Sequence, residues 1–398
     1  MKLEVENFGP IKEGKIETKK VTVLIGNQGS GKSTVAKLLA TFCWMEKFLF
    51  RSSQIIEQRD LEDKFPKLLE YHGIDSYFGY KSRIVYTGNA FRLTRTPKHI
   101  WRGQSGNKYL LPKITYFPAE RNFISSIKNI KDGQSFSLWS RSLQEFKEIF
   151  QEAKERLKKS LKLPINNLDI EYNRFYDTLY LKGKNYNIPL SDAASGFQSF
   201  VPMFLVADYL SKMLQSEYEM NEGEREKFKK ESADILNNPV FTDEQKRMLL
   251  SNLASQMNVK RTINIIEEPE QNLYPSSQRN VLNSLLEFNN EVEGNELILT
   301  THSPYILNYL MLAIQAAEIK EKAKGNHEIL SKLYKIVPEK AITPMKDVVV
   351  YELNDDGTIS ELPQSYGLPS NDNFLNNELG KTNTLFSELM DIEDLCDE

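Results

Sequence analysis

One stretch, KKVTVLIGNQGSGKSTVAKLLATF at residues 19–42, limits what this chain can fold into more than any other. It contains G-x-x-x-x-G-K-S from Gly26 to Ser33. Val21 to Ile25 reads as a buried strand, and Val35, Leu38, Leu39 and Phe42 recur as one face of a helix. Strand, glycine-rich turn and helix in that order is the context a phosphate-binding loop requires. Glycines let backbone N–H groups close around phosphate oxygens, and the helix N-terminus adds positive potential. In this reading Gly26, Asn27, Gln28, Gly29, Ser30, Gly31, Lys32, Ser33 and Thr34 hold a nucleotide, with Lys32 neutralising its β- and γ-phosphates and also serving catalysis. The Ser33 hydroxyl would coordinate Mg²⁺.

A second feature far along the chain needs a cation. RTINIIEEPEQNLYP begins as a strand-like run and ends in Glu267, Glu268, Pro269 and Glu270. Adjacent carboxylates at a strand end are costly unless solvated or paired with positive charge. Beside a phosphate loop the natural cation is Mg²⁺. Side chains alternate along a strand, so the two carboxylates point apart and can take different roles. Glu267 is expected at the metal, and Glu268 at the γ-phosphate side, orienting or deprotonating water. NELILTTHSPYIL repeats the pattern: Glu296 to Thr301 reads as a strand, His302 sits at its end, and Ser303 and Pro304 cap and start a helix. A lone histidine is usually structural. At the strand edge where open α/β sheets place ligands, His302 is expected to reach the γ-phosphate or the attacking water.

Composition narrows the class. Apolar residues at 40% and charged residues at 27% suit a soluble globular chain. A net charge of −4 gives no overall pull toward nucleic acid. The charge is unevenly spread, however: no acid occurs between Asp75 and Glu120, where Lys81, Arg83, Arg92, Arg95, Lys98, Arg102, Lys108 and Lys113 all fall. Tyr86, Phe91, Trp101 and Tyr109 lie among those cations. Segment 81–113 therefore reads either as a DNA or RNA contact or as an antiparallel sheet with a solvated outer face. Two cysteines far apart suit a reducing cytoplasm, and four scattered histidines argue against a histidine metal cage. No secretory leader is evident, and no apolar run approaches the roughly 18 residues a membrane helix needs.

A third stretch, SDAASGFQS at 191–199, is on its own an ordinary helix start. The order Gly26–Thr34, Ser195–Gln198, Glu267–Glu268, His302 resembles the ABC-type ATPases. KLEVENFGPIKEGKIETKKVTVLIG, ASGFQSFVPMFLVADYL, IIEEPEQNLYP and TTHSPYIL resemble the SMC/RecF-like branch, and within it ATPases related to the overcoming-lysogenisation-defect family. The resemblance covers about the first 50 residues and roughly 190 to 310. It implies that Ser195, Gly196 and Gln198 contact, in trans, the nucleotide held by another copy. It further implies a homodimer or higher even oligomer closing on ATP, DNA-linked work such as phage defence, and a separate effector such as a nuclease. A RecF-like maintenance ATPase and a non-catalytic regulator restraining a toxin-like partner stay open. The chain departs from the pattern in three places. Glu267 replaces the usual aspartate. Signature and acidic strand end are widely separated. No Q-loop glutamine is evident, and ITYFPAERNF offers Glu120 and Arg121 in its place, either as a Q-loop equivalent or as a structural salt bridge.

The expected fold class is α/β: a P-loop NTPase with an ABC-ATPase-like mixed-sheet core, a helical signature lobe and helical inserts. Residues 1–398 are expected to form a single ATPase domain, with 1–130 and 260–350 as the nucleotide core. Residues 131–259 would be a helical lobe, with an amphipathic helix or helix pair at 138–162 and a charged insert at 211–258. VYELNDDGTISEL reads as a hairpin, so 351–398 would be a C-terminal hairpin and acidic tail. Pro202, seven residues into the signature helix, is expected to remove one helix hydrogen bond and bend it.

Overall fold

The computed structural model describes the chain except residues 52–57, 107, 127–138, 158, 216–221, 240, 243–244, 247–249, 251–258 and 397–398. The side chains of 58–59, 215, 222–227, 231 and 395–396 also fall outside it. Much of the predicted insert 211–258 and the end of the acidic tail lie outside the described residues.

The strands in chain order are β1 (Lys2–Phe8), β2 (Ile11–Glu17), β3 (Val21–Gly26), β4 (Phe78–Thr87), β5 (Phe91–Arg95), β6 (Ile100–Gln104), β7 (Pro112–Phe117), β8 (Leu161–Lys162), β9 (Asp169–Asn173), β10 (Thr178–Lys182), β11 (Asn187–Pro189), β12 (Arg261–Glu267), β13 (Glu296–Thr300), β14 (Val348–Leu353) and β15 (Thr358–Glu361). The helices are α1 (Lys32–Arg51), α2 (Gln58–Tyr71), α3 (Asn122–Ser126), α4 (Arg141–Arg156), α5 (Ser195–Gln215), α6 (Glu222–Asn237), α7 (Pro275–Asn290), α8 (Pro304–Lys322), α9 (His327–Ile336) and α10 (Phe374–Cys396).

Eleven strands form one mixed sheet in the order β6-β5-β4-β1-β2-β15-β14-β3-β13-β12-β7. All six residues of β3 are buried, as a strand covered on both faces requires. Its neighbours β13 and β14 both run parallel to it, and β12 and β7 continue the parallel set. Register then aligns the carboxyl ends: Glu267 lies opposite Thr300, Leu24 opposite Thr300, and Gly26 opposite Leu353. Every loop leaving these strands emerges at one sheet edge, where open α/β folds bind ligands. One face of the sheet is covered by α1 and α2, and the other by α4, α5, α7 and α8. α4 shows why it docks. Ser140 caps it by accepting from the Leu143 amide, and Leu143, Phe146, Ile149, Phe150 and Ala153 are its buried apolar stripe.

Segment 81–113 builds an antiparallel wing of β4, β5 and β6, matching the sheet reading. Its aromatics differ in exposure. Tyr86 is fully buried, stacks on Phe42 and donates to Glu46, while Trp101 is exposed. Several of the cations are engaged: Arg83 pairs with Glu6, Arg95 lies over the rings of Phe65 and Phe78, Lys81 lies over Tyr80 and Arg102 over Phe91.

Two boundaries differ from expectation. Residues 131–259 include an antiparallel four-stranded sheet, β11-β10-β9-β8. Ile170, Leu179 and Leu181 alternate inward from it, and Asn173 Oδ1 accepts from the amides of Phe175 and Tyr176 to make its tight turn. At the C-terminus, the expected turn at 354–357 is present, with the Gly357 amide donating to Asn354 O. Its first strand, β14, lies inside the sheet beside β3, so residue 350 does not end the core. Three consecutive buried valines, Val348 to Val350, hold it there. The acidic stretch that follows lies on α10. No helix among the described residues is long and apolar enough to cross a membrane.

Candidate nucleotide site

The loop after β3 turns on Gly26, whose φ is 141°. A Cβ there would lie 2.4 Å from Leu353 O on the neighbouring strand, so only glycine lets the chain leave the sheet at this point. Asn27 to Gly29 are exposed, whereas Ser30, Lys32 and Thr34 are buried. Lys32 opens α1 and folds back over the loop, donating to Gly26 O at 2.8 Å and Asn27 O at 2.7 Å. Burial lowers its pKa to about 8, against the opposing pull of Glu268, Glu270 and Glu267. Ser30 Oγ is buried with no hydrogen-bond partner, an orphaned donor that a bound anionic oxygen would satisfy.

Ser33 Oγ donates to Glu267 Oε2 at 2.7 Å, joining residues 234 apart. Burial raises the Glu267 pKa, opposed by nearby Lys37 and by the Ser33 hydrogen bond. A buried carboxylate and hydroxyl of this kind are oxygen donors suited to Mg²⁺. The next residue turns away. Glu268 has φ of 44°, a left-handed conformation costing about 1–3 kcal/mol in a non-glycine residue. Its amide donates to Thr300 O at 2.9 Å, which ties the turn to β13. The Glu268 carboxylate thereby reaches His302, with Nε2 and Oε1 3.6 Å apart. Partial desolvation and nearby Lys32 lower the His302 pKa, while Glu268 raises it. The predicted divergence of the two carboxylates is observed, and the left-handed turn contributes to it alongside strand alternation.

α5 begins at Ser195, which is exposed. A Cβ on Gly196 would stand 2.6 Å from Asn272 O, so this glycine admits the chain's own loop 268–274, where close approach to a phosphate was expected. Gln198, expected to reach a nucleotide in trans, donates through Nε2 to Ser191 O and Ala193 O, both at 2.9 Å, and so shapes the turn before the helix. Asn272 Nδ2 donates to Ser199 Oγ at 3.2 Å. α5 is therefore bolted to the loop that follows Glu268 in the same chain.

Arg121 corrects the expectation of a Q-loop equivalent or salt bridge. It is fully buried, and its guanidinium donates to four backbone carbonyls: Ser199 O, Pro118 O, Glu267 O and Glu268 O. Burial lowers its pKa to about 10, opposed by Glu270, Glu268 and Glu120. Such a group joins β7, β12 and α5, and presents no donor fork to a phosphate. Glu120 beside it is exposed.

Sequence reasoning passed over Glu270, Thr301 and Gln278. Glu270 Oε1 accepts from Thr301 Oγ1 at 2.7 Å and from the His302 amide at 2.8 Å. Thr301 Oγ1 also accepts from the Ser303 amide, and Ser303 Oγ donates to Gln278 Oε1 at 2.6 Å. The only hint was the third acid in Glu-Glu-Pro-Glu.

A strand-to-helix phosphate loop, an acidic strand end and a histidine at the next strand end, on one edge of a mixed sheet, define a P-loop NTPase of ABC-like architecture. The family described as "AAA domain, putative AbiEii toxin, Type IV TA system" matches residues 21–308, and the chain belongs to it. That family is one of AAA domains. No curated protein matches the chain. Among solved structures it is similar to an SMC head bound to the C-terminal winged-helix domain of ScpA, at 12% identity over 92% of this chain and 98% of that one, with a TM-score of 0.37. The SMC head domain from Thermotoga maritima matches at 12% identity over 77% and 90%, with a TM-score of 0.31. An ATP-binding cassette of an ABC transporter in its ADP conformation matches at 13% identity over 92% and 93%, with a TM-score of 0.30.

Proposed function

We propose that this chain binds ATP with Mg²⁺ and hydrolyses it slowly as a dimeric switch. The observation that carries this reading is the pairing, at neighbouring carboxyl strand ends, of Ser33 with Glu267 and of Glu268 with His302. Lys32 and the loop amides hold the β- and γ-phosphates. Ser33 and Glu267 hold Mg²⁺, which would neutralise charge developing on the phosphate oxygens. Glu268 orients a water and takes its proton, and His302 donates to the γ-phosphate. Ser195, at the exposed N-terminus of α5, meets the γ-phosphate of a second copy's ATP, so ATP closes the dimer and hydrolysis opens it. The resemblance to overcoming-lysogenisation-defect ATPases, together with a family description naming a toxin system, supports work in DNA-linked phage defence with a separate effector such as a nuclease.

Two variants test the switch. Glu268→Gln should slow hydrolysis and accumulate an ATP-dependent dimer in sedimentation. Ser195→Arg should bind ATP normally but neither dimerise nor hydrolyse it. Rapid turnover by a strict monomer, or normal hydrolysis by Ser195→Arg, would overturn the reading.

A further inference from the structure

We infer that Glu270 is the residue that positions His302 for catalysis, an assignment that rests on the proposed hydrolytic role of His302. The geometry is a closed circuit. Glu268 and Glu270 belong to one loop, and that loop is anchored to β13 by the Glu268 amide on Thr300 O. Glu270 then reaches back to the same strand end, where one oxygen receives both the Thr301 hydroxyl and the His302 amide. Thr301 is itself held to the phosphate-loop strand, because its amide donates to Leu24 O at 3.0 Å. His302 is thus fixed by its main chain from the side of Glu270 and faces Glu268 with its ring.

The chemistry of the contact says why a carboxylate stands here. A charged acceptor makes shorter and stronger hydrogen bonds than a neutral one, and one oxygen taking two donors rigidifies both. The second oxygen, Oε2, is sealed from solvent without a hydrogen-bond partner. Leaving a carboxylate oxygen unsatisfied is unfavourable, so packing alone does not account for glutamate at this position. Burial raises the Glu270 pKa, and the Thr301 and His302 hydrogen bonds oppose that rise. Those two bonds fix the carboxyl group, and the carboxyl group fixes the main chain of His302. The same loop carries Asn272, whose carbonyl meets Gly196 and whose amide meets Ser199. Glu270 therefore also connects the start of the chain's own signature helix to its own His302.

Two measurements test this. Uniform ¹⁵N-histidine labelling yields few amide signals, because the chain has four histidines. His302→Ala assigns the His302 signal by its loss. Glu270→Ala should shift that signal upfield as the carboxylate hydrogen bond is lost. Glu270→Gln, which keeps an acceptor oxygen, should shift it less. This readout needs no turnover, so it stands even if the chain proves not to hydrolyse ATP. In steady-state kinetics Glu270→Ala should lower kcat roughly tenfold or more with KM for ATP little changed, within the range a misplaced acid–base group loses. Glu270→Gln should recover much of that loss. In a His302→Ala background Glu270→Ala should have almost no further effect, since a positioning residue has nothing left to position. An unmoved His302 signal, fully additive losses, or a Gln variant as poor as Ala would overturn the assignment. Absence of hydrolysis in the wild-type chain would instead overturn the proposed function.

Discussion

At the scale of single residues, the site is a set of charges held out of water by backbone contacts. Lys32 is the clearest case. Its ammonium sits on two loop carbonyls, and burial brings its pKa down to about 8. Phosphate binding needs the protonated form, which is present below about pH 8 and lost above it. Nucleotide affinity should therefore hold near neutral pH and weaken by up to roughly tenfold per pH unit above about 8, as one proton is lost from the free site. Titrating a fluorescent ATP analogue from about pH 7 to about pH 9.5 checks this, and a flat profile would show that the lysine keeps its charge. Glu267 contrasts with it: burial pushes its pKa up, so a divalent cation beside it would restore the ionised form.

Among the elements, α5 explains how a proline sits inside a long helix. Pro202 has no amide hydrogen, so the carbonyl four residues earlier, on Gln198, loses its helical donor. The helix nonetheless runs unbroken from Ser195 to Gln215. Ser125 Oγ of α3 donates to Gln198 O at 2.9 Å, and Arg121 Nε donates to Ser199 O at 3.1 Å. The hydrogen bond expected to be lost at Pro202 is replaced from a neighbouring element. Ser125→Ala should remove this hydrogen bond to the Gln198 carbonyl and cost about 1 kcal/mol of stability. Adding Pro202→Ala should recover most of that loss, because an alanine amide supplies the missing helical bond. Chemical denaturation of both single variants and the double variant measures the coupling. Simple additivity would show that the serine contact carries no weight.

For the whole molecule, the large sheet gathers four chain segments at one edge, and α10 stands apart from it. Every described side chain from 377 to 394 is exposed, including Leu379, Leu385, Phe386, Leu389, Met390 and Ile392. The base of the helix is different: Phe374 and Leu375 pack into the core. Burial is what stabilises, so removing residues 379–398 should change the melting temperature by no more than about 2 °C while the nucleotide site stays intact. Differential scanning calorimetry, with and without ATP, measures both. A large drop would mean that the outer helix packs against the body in solution.

The legible part of this protein was its local part. Val21 to Thr34, Glu267–Glu268 and His302 could be read directly because each motif is contiguous, and a strand, a tight turn and a helix cap each leave a periodicity or a required residue. The sheet wing at 81–113 was legible only as one of two alternatives, since alternating residues with surface cations fit either. Arg121, Glu270 and Gly196 could not be read correctly at all. Apart from Pro118 beside Arg121, their partners lie from 31 to 147 residues away, and most of those partners are backbone amides or carbonyls, which every residue type carries. β14 was misplaced for a similar reason, because a buried strand reads alike at a margin or in the centre of a sheet. The amino-acid sequence by itself determined which groups could hold a phosphate and a cation. Only the tertiary structure decided how those groups are held against one another, because backbone hydrogen bonds between distant segments leave no pattern in side-chain order.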